Sequence, residues 1–199
     1  MRALLLSLLL AVTPFAFADE TMHLVSAMPS KLVLEGTSNL AAWRCSGTTL
    51  DGQMAVAAPL LEMDSVIAGV EEFTLRVPIS TLRCGSRQME RDMYRALRSD
   101  SFPTIEFEFD ELVGAVRRDG AAGRFRARIN GVLTLAGARR TVSIDVEAER
   151  LSNDRVLLRA RLPLRMTDFR ITPPTALFGM IKANDRLIVQ FDLVLRKTS

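Results

Sequence analysis

Apolar and polar side chains alternate along residues 105–165 with few interruptions. A repeat of two residues is typical of a β-strand that buries one face, whereas an α-helix repeats about every 3.6 residues. The alternation falls into four runs, so it predicts a four-stranded antiparallel meander. Its apolar face carries Ile105, Phe107, Phe109, Phe125, Ala127, Ile129, Leu133, Val142, Ile144, Val146, Ala148, Val156, Leu158, Ala160, Leu162 and Leu164.

The continuous apolar face of this meander needs a covering layer. A sheet of this kind packs on a partner layer or closes on itself, and about eight strands can close around a ligand cavity. Further strand candidates lie at residues 31–35, 73–79 and 187–196, with weaker ones at 53–58 and 62–68. The pattern therefore favours an all-β fold, an antiparallel barrel of about eight strands.

One helix is predicted, at about residues 87–98. Ser86 is a suitable N-cap, and Met89, Met93 and Leu97 follow it at a spacing that places them on one helical face. The opposite face is charged, and Asp100 and the nearby proline end the segment. We expect this helix to lie near the mouth of the barrel.

The outer face of the meander is charged, and the sign of the charge changes from one run to the next. Opposite charges that face each other across antiparallel strands stabilise by about 0.2–1 kcal/mol per pair. The alternation predicts ion pairs across each hairpin, and these account for the paired carboxylates without an acid/base role. The runs are Glu106, Glu108 and Asp110; Arg126 and Arg128; Asp145, Glu147 and Glu149; and Arg159, Arg161 and Arg165.

The N-terminus has the pattern of a secretory signal peptide. Arg2 precedes an apolar run at residues 3–12, and Ala16 and Ala18 form a small-x-small cleavage site before Asp19. We expect residues 1–18 to be removed and residues 19–199 to form one barrel domain in the periplasm or outside the cell. No later stretch approaches the roughly 20 apolar residues of a membrane-spanning helix.

Composition and charge narrow the class further. The 199 residues are 48% hydrophobic and 25% charged, as expected for one globular domain. Without Arg2, 25 basic residues stand against 23 acidic ones, a formal charge of +2. Basic side chains alternate with acidic ones and form no stripe interleaved with aromatic residues. The sequence therefore predicts no nucleic-acid partner.

The only two cysteines, Cys45 and Cys84, both lie in the expected mature chain. An even number of cysteines in an oxidising compartment favours a disulfide, which would contribute about 4 kcal/mol. Two free, buried thiols are the alternative. No metal site is expected, because neither cysteine has a close cysteine or histidine neighbour and the only histidine is His23.

Patterns typical of catalysis are absent from the sequence. Triad or Cys/His chemistry would have to use His23, which lies outside the regular core, and there is no G-x-S-x-G motif. Gly114, Gly120 and Gly123 occur among residues typical of hairpin turns and do not form a phosphate-binding loop. We expect a protein that is not an enzyme and has no cofactor.

Three segments resemble the YceI-like family of bacterial lipid-binding proteins. They are LRCGSRQMERDMYRAL at 82–97 followed by FPTIEF at 102–107, NGVLTLAGARRTV at 130–142, and MTDFRI at 166–171. The last segment stands where the family usually has R-x-D-F-G, so Arg170 replaces the usual glycine. Ala41 and Ala42 stand where many members have a histidine. The resemblance implies a lipocalin-like barrel whose apolar interior holds a polyisoprenoid, quinone or similar amphiphile.

Two functions remain open. The first is a carrier or sequestering protein for such a lipid, and the second is a structural, stress-related or protein-interaction barrel with a filled core. The lipid is the expected partner, and the sequence leaves the oligomeric state open, with a homodimer as one option. The expected ligand contacts are the large residues of the inner face and the helix, with two more from an irregular segment: Phe73, Met89, Met93, Tyr94, Phe107, Phe109, Phe125, Ile129, Phe169, Phe178 and Phe191.

Overall fold

A computed structural model describes the chain over residues 21–57, 69–118 and 124–198. The expected signal peptide and the strand candidate at 62–68 lie outside these residues. In chain order the elements are β1 (Thr21–Ser38), β2 (Ala42–Gly47), β3 (Asp51–Ala57), β4 (Val70–Pro78), β5 (Arg83–Cys84), α1 (Arg87–Ala96), β6 (Thr104–Arg118), β7 (Arg124–Leu135), β8 (Ala138–Arg150), β9 (Arg155–Arg165), β10 (Thr175–Ala176) and β11 (Ile181–Lys197).

The sheet closes into a barrel because its first and last long strands pair with each other. β1 and β11 are antiparallel partners from Leu24 opposite Lys197 to Ser38 opposite Ala183. The described strands that form the ring are β11, β9, β8, β7, β6, β4, β3 and β1, in that order. The predicted fold is therefore confirmed, including the four-stranded meander, which is β6 to β9.

Two edges of the barrel are each followed by a pair of strands with a break between them, β2 with β3 and β4 with β5. β2 and β3 pair with the two halves of β1, so they follow one edge with a break between them. β5 continues beyond β4 and pairs with β2, which places Cys45 directly opposite Cys84. The two sulfurs form a disulfide with a Cα–Cα distance of 4.1 Å. The disulfide prediction is confirmed, and the alternative of free thiols is wrong.

The predicted helix is also confirmed, although it ends at Ala96, before the expected boundary. The Ser86 hydroxyl accepts a hydrogen bond from the backbone N–H of Met89 at 3.2 Å, so Ser86 is the N-cap. Arg98 follows with φ of 52°, a left-handed conformation that stops a helix. Leu97 is buried in the core cluster, and Met93 packs against that cluster.

The first strand runs further than the sequence indicated, because Gly36 lies inside it and does not end it. Gly36 pairs with Trp43 across β1 and β2. A Cβ on this glycine would lie 2.2 Å from Cζ2 of Trp43, so the indole occupies the space of a side chain. Gly36 is therefore required for close packing rather than for a turn.

The predicted charge ladder is confirmed between β7 and β8 but is wrong between β6 and β7. Arg126 contacts Glu147 at 2.8 Å, and Arg128 contacts Asp145 at 2.7 Å. In contrast, Glu108 lies opposite Val132 and binds Arg139 of β8 at 3.0 Å. The reason is that β6 extends to Arg118, so the acidic start of β6 pairs with the apolar end of β7.

Candidate functional site

One end of the barrel encloses an apolar cavity of about 410 Å³, which lies beneath α1. Along the barrel strands, the inward-facing residues nearer this end line the cavity. We call this part the open half, and the strand residues that line it include Leu32, Leu34, Leu75, Val77, Ile105, Phe107, Leu133, Leu135, Ile144, Leu162, Leu164, Leu187, Val189 and Phe191.

The inward-facing residues at the other end of the same strands pack against one another, so the cavity does not extend into that end. We call this part the filled half. Its buried residues include Leu24, Met54, Val56, Phe73, Phe125, Ile129, Val146, Ala148, Val156, Leu158, Leu193 and Leu195. Because large side chains fill this half from several strands, the cavity is closed at its inner end.

Phe107 forms the floor between the two halves. Its side chain is buried and lines the cavity, and its ring lies 6.1 Å from the ring of Phe73 in the filled half. The ring extends over Gly131 of β7, where an added Cβ would lie 2.3 Å from Cζ of Phe107. The ring can lie against β7 at this level because Gly131 has no side chain.

The mouth of the cavity is framed by α1 and by the segments 38–43 and 174–183. Several contacts hold α1 in this position. The disulfide links β2 to Cys84, which lies two residues before the N-cap Ser86. Glu90 of the helix accepts a hydrogen bond from the backbone N–H of Cys84 at 3.1 Å. The Tyr94 hydroxyl donates to the carbonyl of Leu82 at 2.9 Å and accepts from Arg83 at 3.0 Å.

The polar side chains that line the cavity come from the segments that frame the mouth and from the adjacent end of β9. They are Ser38, Ser86, Gln88, Asp92, Arg165 and Thr175. The carboxylate of Asp92 is occupied by Gln88 at 3.0 Å and Arg95 at 3.1 Å. The arrangement suits an elongated apolar molecule with any polar group at the mouth.

Two carboxylates with a lowered pKa, Asp145 and Glu149, lie on the outside of the barrel. Hydrogen bonds from Arg128 lower the pKa of Asp145, and a hydrogen bond from Arg159 lowers the pKa of Glu149. Both are members of the cross-strand charge ladder, so their shifts reflect structural ion pairs. In the part of the chain that the structure describes, no group of three or more His, Cys, Asp or Glu residues could hold a metal ion.

The structure brings four of the predicted ligand contacts to the cavity. Met89 and Met93 line it from α1, Phe107 from the floor, and Phe191 from β11. Trp43, and the leucines and valines of the open half, are cavity residues that the prediction passed over. The leucines and valines lie on strand faces that alternation indicates, but the predicted contacts on those faces were mainly aromatic. Trp43 lies in β2, a strand that the alternation did not predict.

The other predicted contacts lie elsewhere. Phe73, Phe125 and Ile129 are buried in the filled half, and Phe109 packs against the core without lining the cavity. Alternation identifies the inward face of a strand but not the depth of a residue along the barrel, so these positions looked equivalent in the sequence.

Three further predicted contacts do not line the cavity, for separate reasons. Tyr94 uses its hydroxyl to anchor α1, as described above. Phe169 is buried in the core cluster, in the 3-10 turn Met166–Phe169, and does not line the cavity, while Phe178 is fully exposed at a loop tip.

The structure also shows where the residues lie that differ from the usual family pattern, Arg170, Ala41 and Ala42. Arg170 has φ of 58°, a left-handed conformation that glycine adopts without strain, which explains why glycine suits this position. Its backbone N–H still donates to the carbonyl of Thr167 at 3.0 Å, so the turn is retained. Ala41 and Ala42 line the mouth.

Among the described residues, no helix is long and apolar enough to cross a membrane.

Comparison with known proteins gives one family and several similar folds. A family model described as a YceI-like domain matches residues 33–195. None of the curated proteins matches the chain. A polyisoprenoid binding domain from Saccharophagus degradans, implicated in plant cell wall breakdown, has 12% identity and a TM-score of 0.66, over 90% of this chain and 100% of that one.

Two further structures are similar to this chain. BcnA from Burkholderia cenocepacia has 13% identity and a TM-score of 0.61, over 83% of this chain and 95% of that one. A YceI protein from Campylobacter jejuni has 9% identity and a TM-score of 0.57, over 78% of this chain and 84% of that one. At these identities the likeness shows a shared fold.

Proposed function

The chain belongs to the family of YceI-like domains, and we propose that it is a binding protein that holds a polyisoprenoid, quinone or similar amphiphile in its open half. The observation that carries this proposal is the cavity itself. It is apolar along its length, closed by Phe107 at its inner end, and bordered by polar side chains at the mouth. The similar domain from Saccharophagus degradans, described as polyisoprenoid binding, supports the same ligand class.

The energetics of such a site need no charged anchor. Burial of an apolar chain contributes about 25 cal/mol per Å² of surface removed from water. Part of this is offset by the loss of motion on binding, so affinity depends on how well the chain fills the space. The cavity volume of about 410 Å³ falls within the usual range of about 300–1,000 Å³ for ligand sites.

The floor at Phe107 sets the reach of the ligand. An apolar chain that enters from the mouth meets this ring before it reaches the filled half. A longer chain must bend within the open half or project through the mouth. We therefore expect selection by chain length and flexibility, with weak selection for the polar group.

We also propose that the protein works in the periplasm or outside the cell. The pattern at residues 1–18 is that of a secretory signal. The disulfide between Cys45 and Cys84 supports the same compartment, because disulfides persist where thiols are not kept reduced.

Extraction of the purified mature protein with organic solvent, followed by mass spectrometry, tests the ligand. We expect one class of isoprenoid or quinone to be enriched relative to a whole-cell lipid extract. An empty protein that also fails to bind added isoprenoid or quinone would contradict the proposal. That result would favour a barrel that acts as a structural, stress-related or protein-interaction module.

A further inference from the structure

Four large apolar side chains stand exposed beside the mouth of the cavity. They are Leu40 in the segment between β1 and β2, and Leu177, Phe178 and Met180 in the turn between β10 and β11; we call them the rim patch. Their exposed fractions are 73%, 60%, 107% and 68% respectively. Leu40 itself lines the cavity, as do Ala176 and Ile181 on either side of the turn. The rim patch is therefore continuous with the ligand site.

Hydrogen bonds from the Asn39 side chain and within the turn hold the rim patch in place. Asn39 accepts a hydrogen bond from the N–H of Lys182 at 2.9 Å, and its side chain donates to the carbonyl of Met180 at 2.8 Å. The turn itself is closed by a bond from Gly179 N–H to the carbonyl of Ala176 at 3.1 Å. The side chains are thus exposed on a hydrogen-bonded loop.

The sequence of this turn is unfavourable for its conformation. Leu177 and Phe178 have φ of 48° and 55°, the positive values of a type I′ turn, where asparagine and glycine are preferred. Two bulky residues in left-handed conformations, with their side chains exposed, stabilise neither the turn nor the core. Strain of this kind at a ligand site suggests a function for the exposed side chains.

The segments around the mouth are basic. Residues 38–43, 86–96 and 174–183 contain Arg87, Arg91, Arg95 and Lys182, against Glu90 and Asp92. Both acidic side chains are engaged within the protein: Glu90 by the backbone of Cys84, and Asp92 by Gln88 and Arg95. The mouth therefore combines apolar tips with a surplus of positive charge, which is complementary to an anionic lipid surface.

A second copy of the chain fits the rim patch less well. A stable protein interface takes about 800 Å² from each partner. Four side chains reach that area only if each supplies about 200 Å², the full surface of an aromatic residue. The rim patch is smaller than this because three of the four are partly covered.

We propose that the rim patch docks the barrel on the surface of a phospholipid bilayer that contains anionic lipid, with the cavity mouth facing the membrane. This rests on the proposed function, because docking places the mouth where an amphiphile leaves or enters the bilayer. Leu40, Leu177, Phe178 and Met180 insert among the head groups, and the basic residues of the mouth contact lipid phosphates.

Flotation with vesicles of phosphatidylethanolamine and phosphatidylglycerol tests the proposal. We expect the wild-type protein to float with these vesicles, less so at high salt. The double variant Leu177→Asn, Phe178→Gly should bind these vesicles at least about tenfold more weakly than wild type. It should fold at least as stably as wild type, since Asn-Gly suits the turn. Leu151→Asn, which removes an exposed leucine from the filled end, should bind like wild type.

Binding of an isoprenoid delivered from detergent, measured in parallel, separates this proposal from the proposed function. Vesicle binding without isoprenoid binding would support docking and contradict the carrier. Isoprenoid binding by a wild-type protein that does not float would overturn docking, as would a double variant that floats like wild type. A dimer that the double variant loses would also overturn it and would assign the rim patch to a second copy of this chain.

Discussion

The ring of Phe107 lies over Gly131 so closely that a Cβ on the glycine would be 2.3 Å from Cζ of the ring. This contact decides how deep the cavity is. The glycine lets the ring lie against β7, where it stands between the cavity and Phe73 of the filled half. Gly131 of β7 therefore shapes the ligand site although it does not itself line the cavity.

Gly131→Ala should destabilise the protein by about 1–3 kcal/mol, the usual cost of overpacking a core. The new methyl would also lie 2.5 Å from the backbone carbonyl of Glu108, which has little freedom to move. Denaturant unfolding followed by circular dichroism measures the loss. Gly85→Ala is the control, because a Cβ there meets nothing within 4 Å, and an unfolding midpoint lowered equally in both variants would contradict the contact.

Phe107→Leu should alter which lipids the protein carries. A smaller floor deepens the cavity, so we expect longer chains among the co-purified lipids. Met93→Leu changes the mouth and should alter the amount bound more than the chain length. Mass spectrometry of solvent extracts gives both quantities.

Phe125→Leu is the matched control for these variants. It makes the same substitution in the filled half, where the side chain is buried away from the cavity. Its lipids should resemble those of the wild type, at a stability cost of about 1 kcal/mol. A chain-length distribution that Phe107→Leu leaves unchanged would speak against the floor.

Reduction of the Cys45–Cys84 disulfide should lower the free energy of unfolding by about 2–4 kcal/mol. The bond ties β2 to the segment that leads into α1, so we also expect weaker ligand retention after reduction. Mass spectrometry after alkylation should find two labels only when reductant is present. Labelling of both thiols in the untreated protein would refute the disulfide, and Cys45→Ala with Cys84→Ala separates its effect from that of the reductant.

The exported protein should begin at Asp19. The expectation follows from the charged start, apolar run and small residues of positions 1–18. N-terminal sequencing of periplasmic or culture material checks it. An intact Met1 in that material would show that no signal peptide is removed.

Glu149→Gln should reduce the dependence of stability on acid pH. The hydrogen bond from Arg159 holds the folded pKa of Glu149 below its unfolded value. Its contribution is therefore present above the unfolded pKa and is lost as pH falls through the folded one. We expect the variant to be less stable than wild type by under about 1 kcal/mol near neutral pH and equal to it in strong acid.

Urea unfolding at a series of pH values between about 6 and 3 tests this expectation. Asp110→Asn is the control, since it removes a negative charge from an exposed position of β6. A wild-type protein and a Glu149→Gln variant with parallel stability curves would contradict the ion pair.

Much of the fold could be predicted because its signals are local. A strand with one buried face requires a period of two, so β6 to β9 and β11 are visible as alternating runs. The helix is visible because Ser86 caps it and methionines recur along one face. With two cysteines, only one intramolecular pairing exists, so export was enough to indicate the disulfide.

The sequence by itself determined which side chains point inward, but only the tertiary structure decided how far along the barrel each one lies. Phe107 and Phe125 look alike in the chain, yet one borders the cavity and the other fills the core. Their depth depends on strand register and on the bulges that shift it between β6 and β7. Register is set by pairing between residues distant in sequence, which no local pattern records. The same holds for Phe178, whose place at the mouth follows from closure of β11 onto β1.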